Sequence, residues 1–352
     1  MPLLSSPSIA EAGHRRRSRR RIHSGSTKGP PMGEGTTTAA RMHAIIQESA
    51  GGPEVLTLAE VERPEPLPTE VLVRVLAAGV NPTDWKARRH GRLLGDPPAI
   101  LGWDVSGVVE AVGPGVARFR PGDEVFGMPR FPHKAGGYAQ YVTAPSRHFT
   151  RKPAGIDHVH AAALPLAALT AWQVLHDAAN VQPGQRVLIH AAAGGVGHLA
   201  VQLAKHLGAY VIGTARTPKH AFVHALGADK VIDYTREDFA ETVQDVDLVI
   251  DSIGGDYEAR SLRTLRNGGT LALLNPEPDE DLLRQAGERG IWAGFVLVEP
   301  DNAAMATIAE LVEAGRLRVK VDTVLPFEQA AKAHELGETG RTTGKIVLTV
   351  NG

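Results

Sequence analysis

At 352 residues and 43% hydrophobic, the chain is long enough for roughly two domains and can bury a sizeable core. It contains no cysteine, which excludes disulfides, thiolate metal sites, iron–sulfur clusters and cysteine nucleophiles together. The 38 basic and 39 acidic side chains nearly cancel, but residues 1–41 hold eight basic and two acidic ones. That segment therefore carries +6 and the remainder −7, so the body offers no continuing basic surface and a nucleic-acid partner is not expected.

The first 41 residues are rich in Ser, Gly, Pro and Thr and include RRRSRRR from Arg15 to Arg21, a composition that predicts disorder. No apolar stretch follows the arginines, so an export signal is disfavoured; a solvated tail, or translation assigned from too early a start before Met42, is the simpler reading. From Met42 to about Pro153, short alternating or β-branched runs such as VLVRVLAAGV and VSGVVEAVG are punctuated by Gly and Pro, which predicts barrel-like β organisation. Within it, NPTDWKARR at Asn81–Arg89 predicts a short helix with Asp84 as a capping residue. The segment Val159–Trp172 is apolar but broken by Pro165 and shorter than the roughly 20 residues a membrane span needs, so no span is expected.

Beyond about Leu164, helical patterns alternate with the compact apolar runs VLIH, YVIGTA, DLVIDS and TLALL, the pattern of a parallel sheet. The first of these strands, Gln185–His190, leads into AAAGGVGHLA and then a helix whose apolar face carries Val196, Leu199, Ala200, Leu203 and Leu207, ending at Gly208. Strand, glycine loop and helix in this order predict a dinucleotide site at Ala193, Gly194, Gly195, Val196 and Gly197, although Ala192 stands where the first glycine of the usual pattern belongs. The second strand ends without the acidic residue that would hold a ribose 2′-hydroxyl and continues instead into Arg216 and Lys219. Cations there suit a 2′-phosphate, so NADPH is expected over NADH. The last fifty residues predict one helix, Ala303–Ala314, and then isolated strands including KIVLTV at Lys345, which can return to the first domain.

Together with AAAGGVG, the stretches GVNPTDWKARRHG, GWDVSGVVEAVG, PGDEVFG and LPLAALTAW resemble the medium-chain dehydrogenase/reductase superfamily. Within it the chain looks like the zinc-free quinone oxidoreductase branch, which includes ζ-crystallin-like proteins and alkenal/enone reductases. The resemblance implies an α/β protein: a GroES-like β-barrel domain from residues 42–164 and 301–352, and a Rossmann doubly wound parallel sheet domain from 165–300, with the site between them. It also implies that Tyr234 lies at the adenosine phosphate end, that Ser252 in the DSIGG turn approaches the nicotinamide ribose, and that Thr170 sits near the nicotinamide ring. The alternatives are a half-buried strand residue for Tyr234 and a helix hydroxyl bonded to its own backbone for Thr170.

Zinc enzymes of the superfamily place Cys and His ligands where this chain has NPTD and GWD, so no metal is expected. His133, His148, His158 and His160 form no recognisable ligand set. The chemistry implied is hydride transfer to an acceptor that is already electron-poor, a quinone or an α,β-unsaturated carbonyl. Asn81 is the candidate to hold the nicotinamide carboxamide or the substrate oxygen, as the resemblance suggests. Lys86 either supplies positive charge to an enolate or quinol oxygen or is a solvated helix lysine, and Trp85 either walls a planar substrate or belongs to the core. Many relatives carry Tyr at the position of Lys86. Alternative functions are a ζ-crystallin-like NADPH-binding structural or RNA-binding protein, and an enoyl reductase of a biosynthetic pathway. A cytoplasmic homodimer is the default expectation.

Overall fold

The computed structural model describes residues 40–276 and 278–350; the expected basic tail, apart from its last two residues, lies outside them. Six parallel strands form one sheet in the order Lys230–Ile232, Tyr210–Thr214, Arg186–Ile189, Val246–Asp251, Leu265–Leu273 and Trp292–Phe295. The chain starts in the third position, crosses to one edge and then to the other, so the reversal of strand order opens a crevice beside Arg186–Ile189. The strands are apolar on both faces because helices cover both. Val187 and Ile189 enter one core cluster and Leu188 the other, and Leu248, Val249 and Ile250 alternate in the same way.

The second large sheet has seven strands. Val321–Pro326, Lys345–Thr349, Glu70–Val80, Asp104–Val112, Glu124–Gly127 and Phe149–Arg151 follow one another, and Tyr141–Pro145 also pairs with Glu70–Val80. All these pairings are antiparallel except that between the last two strands of the sequence. The final strand thus does return to the first half of the chain, with Ile346 opposite Val80. A smaller sheet of Thr57–Glu62, Arg41–Gln47 and Ala99–Ile100 completes the β structure.

The helix after the glycines runs Gly197–His206 and buries the expected Leu199, Ala200 and Leu203, while Val196 and Leu207 are half-buried and His198, Val201, Gln202 and Ala204 are buried as well, because the helix is enclosed on more than one side; Gly208 follows at φ +81°. One expectation fails. Residues after Ala314 include a second helix, Ala330–Glu338, besides Asn302–Glu313. Its buried face is Ala330, Ala333, His334 and Gly337, too small and too polar to show as an apolar stripe. Gly337 faces the Trp85 indole, 2.5 Å from where a Cβ would sit, so Trp85 packs into this helix.

Candidate active site

The strand Glu70–Val80 delivers Asn81 to a buried position, where it caps the helix Pro82–His90. Pro82 opens that helix without costing a bonded N–H, and Asp84 accepts the Asn81 backbone N–H at 2.6 Å, so the expected capping role of Asp84 holds. The Asn81 carboxamide is spanned by opposite charges. Its Nδ2 donates to Asp104 Oδ2 at 2.8 Å, and the Lys345 ammonium donates to its Oδ1. Lys345 also lies 3.5 Å from Asp104 Oδ2, and Asp104 Oδ1 accepts the Leu166 N–H at 2.7 Å. Leu166 stands in the first turn of the helix Pro165–Gln173, which carries Thr170. The Thr170 hydroxyl donates to the Leu166 carbonyl at 2.7 Å, so the backbone bond foreseen as its alternative is present.

Burial dominates the ionisation of this cluster. It pulls Lys345 below the ordinary lysine value and pushes Asp104 above the ordinary carboxylate value, while their attraction opposes both shifts. Asp84, fully buried beside Asp104, is raised to about 7, chiefly by desolvation. The nearby Tyr138 hydroxyl opposes that rise slightly. His334, held neutral by burial and by Arg88, takes a hydrogen bond from Arg88 at Nδ1 (3.1 Å). Its Nε2 therefore carries the hydrogen that points at the Tyr138 hydroxyl (3.3 Å).

The glycine loop uses its glycines unevenly. Its left-handed residue is Ala191, at φ +47°; none of Gly194, Gly195 and Gly197 has positive φ. A Cβ on Gly197 would sit against the Ala191 carbonyl and 2.8 Å from Ala192 Cα, so this glycine is needed for the helix to cross close to the loop. Gly195 would meet nothing nearer than Lys345 Cδ at 3.4 Å and the Gly344 carbonyl at 3.6 Å. Ala192 replaces the usual first glycine without strain on φ, its Cβ facing Gly213. The backbone N–H groups of Gly195, Val196 and Gly197 find no acceptor among the described residues, whereas the Gly344 N–H donates to the Ala193 carbonyl at 2.9 Å. A helix N-terminus with three open donors fits a diphosphate.

At the end of the second strand, Arg216 Nε donates to the Tyr234 hydroxyl at 2.9 Å, which brings two of the expected adenosine-end residues together. Lys219 Nζ is spent on the carbonyls of Arg341 and Thr342, at 2.8 and 3.0 Å, and so secures the loop that runs on to Gly344. Sequence reading missed Asp233, the carboxylate at the end of the next strand. It is filled by the amide of Thr217 at 2.8 Å, by the amide and hydroxyl of Thr235 at 2.9 and 2.6 Å, and by the Thr217 hydroxyl. These donors hold it well below the usual carboxylate range and leave it nothing for a ribose hydroxyl.

Ser252, half-buried, follows the strand Val246–Asp251 in a turn closed by Asp251, whose Oδ1 accepts from Ile253 and Gly254 at 2.8 and 3.0 Å. Asp251 Oδ2 and Asn275 Nδ2 are buried without partners, and Gly254 leaves room beside Asn275. Lys86 lies on an exposed face but is not simply solvated. Its ammonium donates to Asn275 Oδ1 at 2.8 Å, linking the helix after Asn81 to the loop after Leu265–Leu273, and partial enclosure lowers its pKa. His158 and His160 diverge, the first toward Ser106 and Glu124, the second toward Asp157. Among the described residues no group of three or more His, Cys, Asp or Glu side chains is placed to hold a metal ion.

Residues 67–154 match the alcohol dehydrogenase GroES-like domain family and residues 226–348 the zinc-binding dehydrogenase family. The chain is 36% identical over 332 residues to a 2-haloacrylate reductase from Burkholderia sp, covering 87% of this chain and 98% of that protein. It belongs to the medium-chain dehydrogenase/reductase superfamily, in the zinc-free quinone and enone reductase branch. A chloroplastic NADPH-dependent alkenal/one oxidoreductase of Arabidopsis thaliana is 33% identical over 321 residues, 87% of this chain and 79% of its own. The solved quinone oxidoreductase of Coxiella burnetii superposes with a TM-score of 0.84 at 37% identity, over 89% of this chain and 100% of that one. The architecture of this medium-chain reductase is accordingly a GroES-like barrel joined to a Rossmann sheet.

In this family member a second residue that sequence reading passed over is Lys345. Written as KIVLTV it reads as an ordinary charge at the start of a strand. Only the pairing of Ile346 with Val80 carries it beside Asn81. The available signal was the pair of acids in NPTD and GWD, which require a buried cation if the two stretches meet.

Proposed function

We propose that the chain is an NADPH-dependent oxidoreductase that reduces quinones or α,β-unsaturated carbonyls without zinc. The observation that carries the reading is that the run of open amides starts at Gly195, beside the Lys345 stem, whose ammonium holds Asn81. Diphosphate and reacting ring then fall on adjoining ground. Ala193, Gly194, Gly195, Val196 and Gly197 cradle the diphosphate. Arg216, with Tyr234 against it, meets the 2′-phosphate, and Lys219 secures the adjoining loop. Ser252 and Thr170 face the nicotinamide half. NADPH, when bound, supplies the hydride.

The acceptor needs a fixed pose and a place for the negative charge that develops on its oxygen. With an enone, hydride adds at the β-carbon, charge moves to the carbonyl oxygen, and a proton from water or a side chain completes the α-carbon. Asn81 holds the acceptor oxygen or the ring's carboxamide, and Lys86 offers positive charge at the mouth of the cleft. One well-aimed donor of this kind is worth roughly 10²–10³ in turnover.

We assign residues 42–164 and 301–352 to the barrel half and 165–300 to the Rossmann half. Among the described residues the edge strand Trp292–Phe295 pairs only on its inner side, and it exposes Trp292, Phe295 and the following Leu297. Such an edge supports a homodimer formed by strand addition between two copies. No helix among the described residues is long and apolar enough to cross a membrane.

The test follows NADPH and NADH oxidation with a quinone and an enal, for the natural chain and for Arg216→Ala. One lost charge-assisted contact costs about 1.5–3 kcal/mol, so NADPH should weaken by roughly ten- to a hundredfold while NADH is unaffected. An unchanged preference removes the phosphate contact. Binding of NADPH without turnover across a broad acceptor panel removes the enzyme and favours a binding protein.

A further inference from the structure

Asn81, Asp104 and Lys345 are each at most 3% exposed, on three segments distant in sequence, and close a triangle of hydrogen bonds. The carboxamide has its oxygen on the ammonium and its nitrogen on the carboxylate. Turned over, it would set N–H against N–H and oxygen against oxygen, so one orientation is fixed and one amide hydrogen of Asn81 is left for a ligand. These groups and the residue before Lys345 also border the helix bearing Thr170 and the glycine loop. Asp104 Oδ1 holds the first turn of the helix bearing Thr170, the Lys345 stem borders Gly195, and the Gly344 amide is tied to Ala193.

An ion pair kept only for stability gains little when sealed from water, because desolvation consumes most of the attraction and apolar groups of the same volume serve as well. Here the cation does what no apolar side chain can do, which is to orient an amide. Resting on the reductase reading above, we infer that Lys345 is a positioning residue: it holds the Asn81 carboxamide in register with the cofactor loop, so that acceptor and nicotinamide are aligned for hydride transfer.

Lys345→Met leaves Asp104 buried without its cation and can unfold the chain for that reason alone. The informative variant is therefore the neutral pair Lys345→Met with Asp104→Asn, read against Asp104→Asn alone, because an asparagine at 104 keeps an oxygen for the Leu166 amide but turns an N–H toward the Asn81 carboxamide whether or not Lys345 is present. Three readouts are compared with the natural chain: thermal stability, kcat and KM for NADPH, and the Asn81 side-chain amide resonances of the cofactor-free protein, assigned by their loss in Asn81→Ser. The expected result is stability recovered relative to Lys345→Met, KM for NADPH within about threefold, kcat about a hundredfold down, and Asn81 amide protons that exchange faster than in the natural chain. Recovery of kcat together with stability would make the triangle a structural ion pair and overturn the inference. So would unchanged Asn81 resonances. A natural chain that binds NADPH but reduces no acceptor would instead fell the reductase reading, while the resonances still decide whether Lys345 orders Asn81.

Discussion

Substituting alanine at two glycines two residues apart separates the packing role of the loop from its binding role. At Gly197 the new methyl would lie against the Ala191 carbonyl and 2.8 Å from Ala192 Cα, backbone atoms on which the loop is built. Overpacking of this kind costs about 1–3 kcal/mol. At Gly195 the nearest atoms are Lys345 Cδ at 3.4 Å and the Gly344 carbonyl at 3.6 Å, ordinary contacts, and φ is not left-handed. Gly195→Ala should therefore hold its stability, or gain up to about 1 kcal/mol from a stiffer unfolded chain. The gap its methyl occupies, however, is the one between the open amides and Lys345. Loss of one charge-assisted phosphate contact there should weaken NADPH by roughly ten- to a hundredfold. Thermal melts of the two variants, with fluorescence titration of NADPH, check both halves of the argument. A Gly195→Ala protein that melts normally and binds NADPH as the natural chain does would refute the phosphate cradle. Equal loss of stability in both variants would refute the geometry of the loop.

Other perturbations test the neighbouring groups. Asp84 titrates at about 7 in the folded chain against 3.8 in its absence. The folded state thus keeps a proton the unfolded chain has lost, and Asp84 costs stability increasingly from about pH 4 to 7 and constantly above. At about 1.4 kcal/mol per pKa unit, Asp84→Asn should match the natural chain near pH 4 and exceed it by a few kcal/mol at pH 8 in urea titrations; parallel curves would dismiss the shift. Lys86→Met should leave melting unchanged, since Lys86 is exposed, and lower kcat/KM about tenfold for quinone and enal alike; no change would return Lys86 to a surface link. For the homodimer proposed above, the natural chain should sediment as a dimer and Trp292→Glu, with a charge on the edge strand, as a monomer; a persistent dimer would place the interface elsewhere, and a monomeric natural chain would remove it.

The Rossmann half was legible because its physics is local. Strands buried on both faces are continuous apolar runs, and a helix of period 3.6 follows a loop whose glycines are adjacent in sequence. The barrel was legible only as a class, since alternating runs announce strands but not which strands meet. The missing pieces share one cause. Lys345, Asp104 and Asp233 look like surface charges until topology buries them, and the helix Ala330–Glu338 packs inward through alanines, His334 and, against Trp85, a glycine, not through an aliphatic stripe. Even within the loop, the strained backbone sits at Ala191, a residue type that carries no warning of positive φ.

Placement of the site at the meeting of distant segments also fixes its spacing. Asn81 and Asp84 follow the strand Glu70–Val80, Asp104 opens the next, and Lys345 opens the last, which pairs with Glu70–Val80 directly at Ile346 and Val80. None of the three strands can shift register without reversing which side chains are buried, so the spacing between carboxylate, carboxamide and ammonium is set by sheet hydrogen bonds and not by the side chains themselves. The helix carrying Thr170 and the loop carrying Gly195 are then hung from this frame through Asp104 Oδ1 and the Gly344 amide. A hydride donor and its acceptor must be brought to within about 3.5 Å in the right attitude. In this chain both sides of that requirement depend on one buried lysine supplied by the final strand.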